Sequence, residues 1–317
     1  MPTDERVLGI PAAHLAAWGP FLGLRAATPA ERDWLLDPSR FEFRPRRECE
    51  TDPSFVQLIP YVVLTCRSRV FHYRRGDAGT ESRLKSLRSV GIGGHVSEAD
   101  AAGGADPYLT GLRREVAEEV AVGAVSTERF LGFLRDDRTP VGRVHLGVVH
   151  QWELVAEAAE PRESALAAAG WSEIAACAAA SAEFETWSQF ALAALEQERQ
   201  ATSLVLEVWE EVEDGNALTG VCYAGPRGNG CRASFAPGAR LLTTFIASSH
   251  FEAMTVYYRY QHWGVYTTDH EWDREPYPAE WVAEQRAASG GSPAAADASS
   301  PSLAPERTAR HGKDSGD

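Results

Sequence analysis

The sequence predicts an α+β protein whose catalytic and metal-binding residues are centred on one loop and one helix, and three observations support this class. A glycine-rich loop that starts at Gly91 leads into a short helix with three clustered carboxylates. An alanine-rich helical stretch follows at residues 175–200. Runs of β-branched and aromatic residues predict the strands of a mixed sheet, at residues 56–65, 70–74, 130–134 and 141–154.

The predicted domain organisation has four segments. Thr28 opens a capping-box pattern, which predicts a helix in an N-terminal extension that packs on the core or joins a homodimer contact. New strand signals after residue 200 and a second capping-box pattern at Ser249 predict a small α+β domain of unknown role. Alanine, serine, glycine and proline then dominate without an apolar period, which predicts a disordered tail. The boundaries are residues 1–50, 51–200, 201–286 and 287–317.

Charge and cysteine content restrict the possible partners. A formal net charge of −14 argues against nucleic acid or an anionic membrane surface as the main partner. The five cysteines form no CxxC pair, which predicts reduced thiols in the cytoplasm. No basic-then-apolar leader follows Met1 and no apolar run reaches about eighteen residues, so we expect neither secretion nor a membrane span.

The acidic helix can be placed from its own residues. Asp106 is a suitable N-cap, and Pro107 fits the first helical position, where its missing N–H costs nothing. Apolar residues at helical spacing predict the buried stripe, namely Leu109, Leu112, Val116 and Val120.

Glu115, Glu118 and Glu119 stand at positions i, i+3 and i+4, so they project from one face of this helix. Carboxylates this close repel one another unless a cation compensates them, and Mg²⁺ or Mn²⁺ takes oxygen ligands and shares them with substrate phosphates. The alternative from the residues alone is a solvated acidic face.

The order of residues resembles the Nudix box. Arg114 to Glu119 reads R-E-V-A-E-E, which matches R-E-U-x-E-E, and it follows a loop that contains Gly93, Gly94 and His95. The resemblance implies an α/β/α sandwich with a metal and pyrophosphate site. It implies that Glu118 and Glu119 bind the metal, that Glu115 is a ligand or the general base, and that Arg114 orients the glutamates. The implied catalytic residues are therefore Glu115, Glu119 and Arg114.

The resemblance also has departures. The loop between Gly94 and Arg114 is about six residues longer than the consensus loop. Asp106 stands where the consensus has glutamate, and Ala121 stands where it has glycine. The wider sequence, over about residues 7–200, resembles a bacterial subgroup of Nudix proteins described as predicted phosphoesterases. This resemblance does not identify the substrate.

Further residues are candidates for the same site. Among the loop acids Glu98, Asp100 and Asp106, Glu98 is the first choice for an additional metal ligand, with a plain polar loop as the alternative. His95 is placed either to donate to a phosphate oxygen or to bind the loop backbone. Arg83, Lys85 and Arg88 precede the glycines and are candidate phosphate contacts, or else belong to a basic strand edge.

Arg143 and His145 complete the candidates. Side chains alternate between the faces of a strand, so these two would share one face of the strand predicted at residues 141–154. If that face lines the pocket, both bind substrate; otherwise they lie on an outer strand.

The sequence thus predicts a Mg²⁺- or Mn²⁺-dependent hydrolase that cleaves a phosphoanhydride bond in a small substrate of the nucleoside-diphosphate-X type. The main alternative is a Nudix fold that senses a ligand or binds a partner, with the C-terminal domain as its output. Isomerase chemistry on an allylic diphosphate is a third possibility, for which no acid/base pair can be identified.

Overall fold

The computed structural model describes residues 5–75, 87–163 and 166–289. They form two compact units that divide between Gln197 and Glu198. The predictions for Arg83 and Lys85 and most of the predicted tail lie outside the described residues. The tail was expected from residue 287, but the last described helix continues to Ala288.

The first unit contains a sheet and the helices that flank it. Its strands are β1 (Arg6–Pro11), β2 (Gly23–Arg25), β3 (Glu42–Pro45), β4 (Phe55–Cys66), β5 (Arg69–Arg75), β6 (Arg88–Ser89), β7 (Gly91–Ile92), β8 (Val120–Val122), β9 (Val125–Arg135), β10 (His145–Leu154), β11 (Ala159–Pro161) and β12 (Leu166–Glu173). Its helices are α1 (Pro29–Leu35), α2 (Arg46–Cys49), α3 (Pro107–Glu119), α4 (Pro140–Arg143), α5 (Ile174–Ala179) and α6 (Thr186–Thr202), the last of which crosses the division.

The main sheet is mixed, as predicted. Its strands follow the order β12-β5-β4-β10-β9-β2, and β1 and β7 also pair with β4. The β4–β10 pair is parallel, whereas the pairs of β4 with β5 and of β10 with β9 are antiparallel. The strands predicted at residues 56–65 and 70–74 are present as β4 and β5, with Arg67 at φ 55° in the turn between them.

Helices cover both faces of this sheet. All residues of β4 are buried, and its alternate side chains enter two different clusters. Leu58 and Val62 pack with Leu112 of α3, whereas Val63 packs with Leu192 of α6. The α/β/α arrangement expected from the resemblance is therefore confirmed.

Two predictions about secondary structure in this unit were wrong. The strand expected at residues 141–154 begins only at His145, because Thr139 caps the short helix α4 through a bond from Gly142 N and Pro140 starts it. The long helix expected at residues 175–200 is broken into α5, a 3₁₀ turn at Ser181–Glu183, and α6.

The second unit has a small sheet with helices. Its elements are β13 (Leu204–Glu213), β14 (Asn216–Tyr223), α7 (Asn229–Ser234), β15 (Arg240–Ala247), α8 (His250–Tyr260) and α9 (Ala279–Ala288). Strand β13 is central and pairs antiparallel with both neighbours. At Ser249 the predicted capping contact is present, since Ser249 Oγ accepts from Glu252 N at 3.2 Å. The strand β14 was not predicted.

All five cysteines are free thiols, in agreement with the sequence prediction. Within the described part of the chain, no helix combines the length and the apolar character needed to cross a membrane.

Candidate active site

The glycine loop after β7 passes close to two other parts of the molecule. Gly93 has φ +145°, and a Cβ there would lie 2.0 Å from the carbonyl oxygen of Pro60 in β4. A Cβ on Gly94 would lie 2.5 Å from Oε2 of Glu115. Only glycine allows both approaches, so the two glycines bring the loop backbone against the carboxylate of α3.

Helix α3 begins as predicted. The Asp106 carboxylate accepts from the backbone N–H groups of Tyr108 and Leu109, and Pro107 occupies the first turn. The predicted apolar stripe was wrong at one position. Leu109 is 49% exposed, whereas Tyr108 is fully buried and its hydroxyl forms a 2.8 Å hydrogen bond with His150.

Arg114 connects the loop with the helix. Its Nε and Nη2 donate to the two carboxylate oxygens of Asp100 at 2.8 and 2.9 Å, and Nη2 also donates to the carbonyl oxygen of His95 at 3.0 Å. Its Nη1 donates to Glu115 at 2.8 Å and to Glu118 at 3.1 Å. A guanidinium can serve several planar acceptors at once, which lysine cannot. Arg114 therefore fixes the positions of two glutamates and of the loop.

Asp100, one of the loop acids considered in the sequence after Glu98, is the one that contacts Arg114. Its side chain is only 4% exposed, and it also accepts from Ser97 N at 2.8 Å. Burial is the largest single influence and opposes its ionisation, but the hydrogen bonds from Arg114 and Ser97 and the charge of Arg114 together hold the pKa of Asp100 below its usual value. The consensus position had pointed to Asp106, which caps the helix instead. The Ser97-x-x-Asp100 pattern was the available signal.

The carboxylates of α3 differ in their surroundings. Glu115 is 15% exposed, and burial raises its pKa, although Arg114 opposes the shift. Glu118 is 53% exposed. Glu119 is half-buried at the end of the helix. One guanidinium thus stands among several carboxylates.

Oxygen donors of this kind suit a hard divalent cation. Glu115, Glu118 and Glu119 offer only carboxylate oxygens, the donor type that Mg²⁺ and Mn²⁺ prefer. The absent side chain of Gly94 leaves the backbone beside Glu115 without a group that would fill this space. These residues therefore fit the metal that the resemblance implies.

Three candidate residues have no hydrogen bond or ion pair to this carboxylate group among the contacts described. Glu98 forms an ion pair with Arg6 at 3.1 Å, with a side chain that is 56% exposed. Arg88 contacts His72 at 2.7 Å and stacks over Phe184. Arg143 is exposed at the end of α4, so the strand face on which it was to join His145 does not exist.

His95 and His145 do come together. Their Nε2 atoms are 3.3 Å apart, and the ligand atoms of Glu50 and these two histidines all lie within 4.8 Å of one another. Burial, with Arg46 nearby, lowers the pKa of His95 to about 3, so its imidazole is neutral at pH 7. Glu50 was not predicted, because it follows α2 and is far from both histidines in the sequence.

The sandwich and its loop–helix site define the Nudix class. The chain is 35% identical to protein YmaB of Bacillus subtilis over 157 residues, which cover 48% of this chain and 76% of YmaB. It is also 32% identical to Tm1382, a candidate Nudix hydrolase of known structure. That alignment covers 61% of this chain and 99% of Tm1382, with a TM-score of 0.49. From these identities and coverages, this chain belongs to the Nudix hydrolase superfamily.

A more distant similarity is to the Nudix domain of Shewanella oneidensis NrtR, crystallised with ADP ribose. The identity is 17%, the alignment covers 55% of this chain and 98% of that domain, and the TM-score is 0.35. No family model matches the chain.

We expect the substitution Glu115→Gln to stabilise the metal-free protein at pH 7. Because the pKa of Glu115 is raised in the folded state, the folded protein binds the proton more tightly than the unfolded chain. Stability from this group is therefore present at low pH and is lost as pH rises from the unfolded pKa through the folded one. Glutamine keeps an acceptor for Arg114 without the charge. Thermal unfolding in a chelator should show a higher Tm for the variant at pH 7 and a smaller difference near pH 4.

Proposed function

We propose that this protein is a divalent-metal-dependent hydrolase that cleaves the phosphoanhydride bond of a nucleoside diphosphate linked to a second group. The observation that carries the proposal is the contact set of Arg114, which holds Glu115 and Glu118 while it binds the loop at His95. Such preorganisation is what charge stabilisation during phosphoryl transfer requires.

Each residue has a distinct task in this proposal. Glu118 and Glu119 hold the cation, Mg²⁺ or Mn²⁺, and Gly93 and Gly94 let the loop backbone approach the diphosphate. When bound, the cation neutralises the negative charge that develops on the phosphoryl oxygens. Arg114 keeps the carboxylates in position. This matters for the rate, since a misplacement of about 1 Å can lower it by a factor of about 100.

The reaction is a displacement at phosphorus by water. The oxygen of water bonds to phosphorus, the bridging oxygen leaves with its phosphate, and a carboxylate accepts the proton of the water. Glu115 is our choice for this base, since its burial raises its pKa towards the range in which a base works well at neutral pH.

One observation counts against the ligand-sensing alternative. Asp106 replaces the consensus glutamate, and this departure was an argument for a ligand sensor without catalysis. Asp100 accepts two charge-assisted hydrogen bonds from Arg114 at another position of the loop, so the orientation of the arginine does not depend on Asp106.

The test is a panel of nucleoside triphosphates, nucleotide sugars, dinucleoside polyphosphates and ADP-ribose, assayed for released phosphate and nucleotide. We expect turnover of at least one diphosphate-linked substrate with Mg²⁺ or Mn²⁺, and none in excess chelator. The matched variant is Glu118→Gln/Glu119→Gln, which keeps side-chain size and removes two charges. Turnover that survives in this variant would contradict the metal assignment. A Tm shift with one ligand and no turnover would instead support the sensor.

A further inference from the structure

The cluster of Glu50, His95 and His145 is not used by the proposed hydrolysis. Its three side chains come from separate parts of the chain: the C-terminal end of α2, the glycine loop, and the first residue of β10. His145 is 7% exposed, and Glu50 is 36% exposed. The fold therefore brings two imidazoles and a carboxylate together at one point.

The separation of the two imidazoles fits a shared ligand. Bonds of about 2.0–2.1 Å from Zn²⁺ to nitrogen, set at a tetrahedral angle, place two nitrogen atoms about 3.3–3.4 Å apart. The observed distance between the Nε2 atoms is 3.3 Å. The separation is long for the hydrogen bond that the two rings otherwise form, whose usual range is about 2.7–3.2 Å.

His145 is also oriented as a metal ligand is. Its Nδ1 donates to the carbonyl oxygen of Val141 at 2.7 Å. Val141 lies in α4, which ends two residues before His145. With the proton on Nδ1, the lone pair of Nε2 points towards His95. A histidine that binds a metal commonly donates its other ring nitrogen to a carbonyl or a carboxylate in this way.

A buried amide next to His145 is the second, independent observation. Gln57 of β4 is fully buried, and within the described residues neither atom of its side-chain amide has a hydrogen-bond partner. In the parallel β4–β10 register Gln57 stands opposite His145, so the two side chains lie on the same face of the sheet. Such a buried amide is costly unless something binds it. Water held by a cation at the cluster would supply that partner.

We propose that Glu50, His95 and His145 form a second metal site, which binds a divalent transition-metal ion of the Zn²⁺ class through two nitrogen atoms and one oxygen. A water molecule that hydrogen-bonds to Gln57 completes the coordination. Imidazole ligands favour Zn²⁺ and its neighbours in the first transition row, whereas the all-oxygen set on α3 favours Mg²⁺ or Mn²⁺. The protein thus holds two sites with different preferences.

The contact of Glu50 with Arg46 is compatible with this site. Nε of Arg46 lies 3.4 Å from Oε1 of Glu50, and Arg46 also binds Glu5. A carboxylate has two oxygen atoms and about four acceptor positions, so it can bind an arginine and a metal together.

The experiment uses the full chain, stripped with a chelator and then titrated with Zn²⁺ or Co²⁺. Equilibrium dialysis measures the bound Zn²⁺, and the visible absorption of Co²⁺ reports its coordination by nitrogen in a four- or five-coordinate geometry. Three variants are compared with the wild type: His95→Gln/His145→Gln, Glu50→Gln and Glu118→Gln/Glu119→Gln. The exposed His262, at φ 59°, gives the matched control His262→Asn, because asparagine tolerates that conformation.

We expect the wild type, His262→Asn and Glu118→Gln/Glu119→Gln to bind one equivalent of Zn²⁺ more than His95→Gln/His145→Gln, and to show the Co²⁺ absorption that this variant lacks. Glu50→Gln, which alters a half-exposed side chain, should bind at least about 10-fold more weakly. Equal Zn²⁺ binding by the wild type and the double histidine variant would overturn the proposal. So would loss of the Co²⁺ absorption in Glu118→Gln/Glu119→Gln. Neither result depends on hydrolysis.

Discussion

Gly94→Ala is expected to reduce hydrolysis by about 100-fold or more while leaving the protein folded. The new Cβ would lie 2.5 Å from Oε2 and 2.9 Å from Cδ of Glu115, whereas an ordinary contact begins at 3.4 Å. The carboxylate must therefore retreat by about 1 Å, against the 2.8 Å hydrogen bond that Arg114 donates to it. The end of the Glu115 side chain can move more easily than the backbone of the loop. The substitution therefore displaces the base and leaves the fold intact.

The measurement is kcat and KM on the substrate found in the panel, with the free energy of unfolding from urea titration. Gly170→Ala is the control, since a Cβ there meets no atom within 4 Å. We expect the control to keep wild-type turnover. If Gly94→Ala also keeps it, the position of the Glu115 carboxylate does not determine the rate, and the role given to Glu115 is wrong.

The second large effect concerns stability and comes from Arg114 and Asp100. Arg114→Met leaves the buried Asp100 carboxylate without its charged partner, and breaking such a pair costs about 3 kcal/mol in the free energy of unfolding at pH 7. The double variant Arg114→Met/Asp100→Asn no longer carries the buried Asp100 charge and keeps an acceptor for Ser97, while Glu115 loses the same partner in both variants. We therefore expect it to recover a large part of that loss, with a coupling energy of about 2 kcal/mol.

The pH dependence distinguishes this charge effect from lost packing. The pKa of Asp100 is lowered in the folded state, so the stability that its ion pair supplies is present above the unfolded pKa and is lost as pH falls through the folded value. The deficit of Arg114→Met should therefore shrink as pH falls below about 4. A deficit that is unchanged from pH 7 to pH 3 would show that the guanidinium acts by packing alone.

Local patterns in the sequence were sufficient for much of the fold and for the centre of the site. Helix α3 begins at the predicted N-cap because a short polar side chain and a following proline act within one turn. The strands β4 and β5 and the mixed sheet were predicted from runs of β-branched residues. All residues of β4 are buried, as such a run in the centre of a sheet requires. Helical spacing placed Glu115 and Glu118 on one face, and the resemblance implied their contact with Arg114.

What the sequence did not indicate depends on contacts between distant residues. Leu109 also fits the helical period, but Tyr108 is the residue that packs in the core and hydrogen-bonds to His150. Glu50 reaches the histidines through the packing of α2, which no local pattern encodes. Asp100 reaches Arg114 because the chain bends at Ala102 and Gly103, whose backbone angles leave the helical range.

The loop that begins at Gly93 has no freedom in its length. Gly93 lies over Pro60, Gly94 lies against Glu115, and the carbonyl of His95 binds Arg114, so three consecutive residues each have a fixed contact. Residues 102–105 are exposed and are not held in place in this way. The chain can therefore accommodate here the additional length of its loop relative to the Nudix consensus. Insertions and deletions among relatives should therefore concentrate at 102–105 and be absent from 93–95.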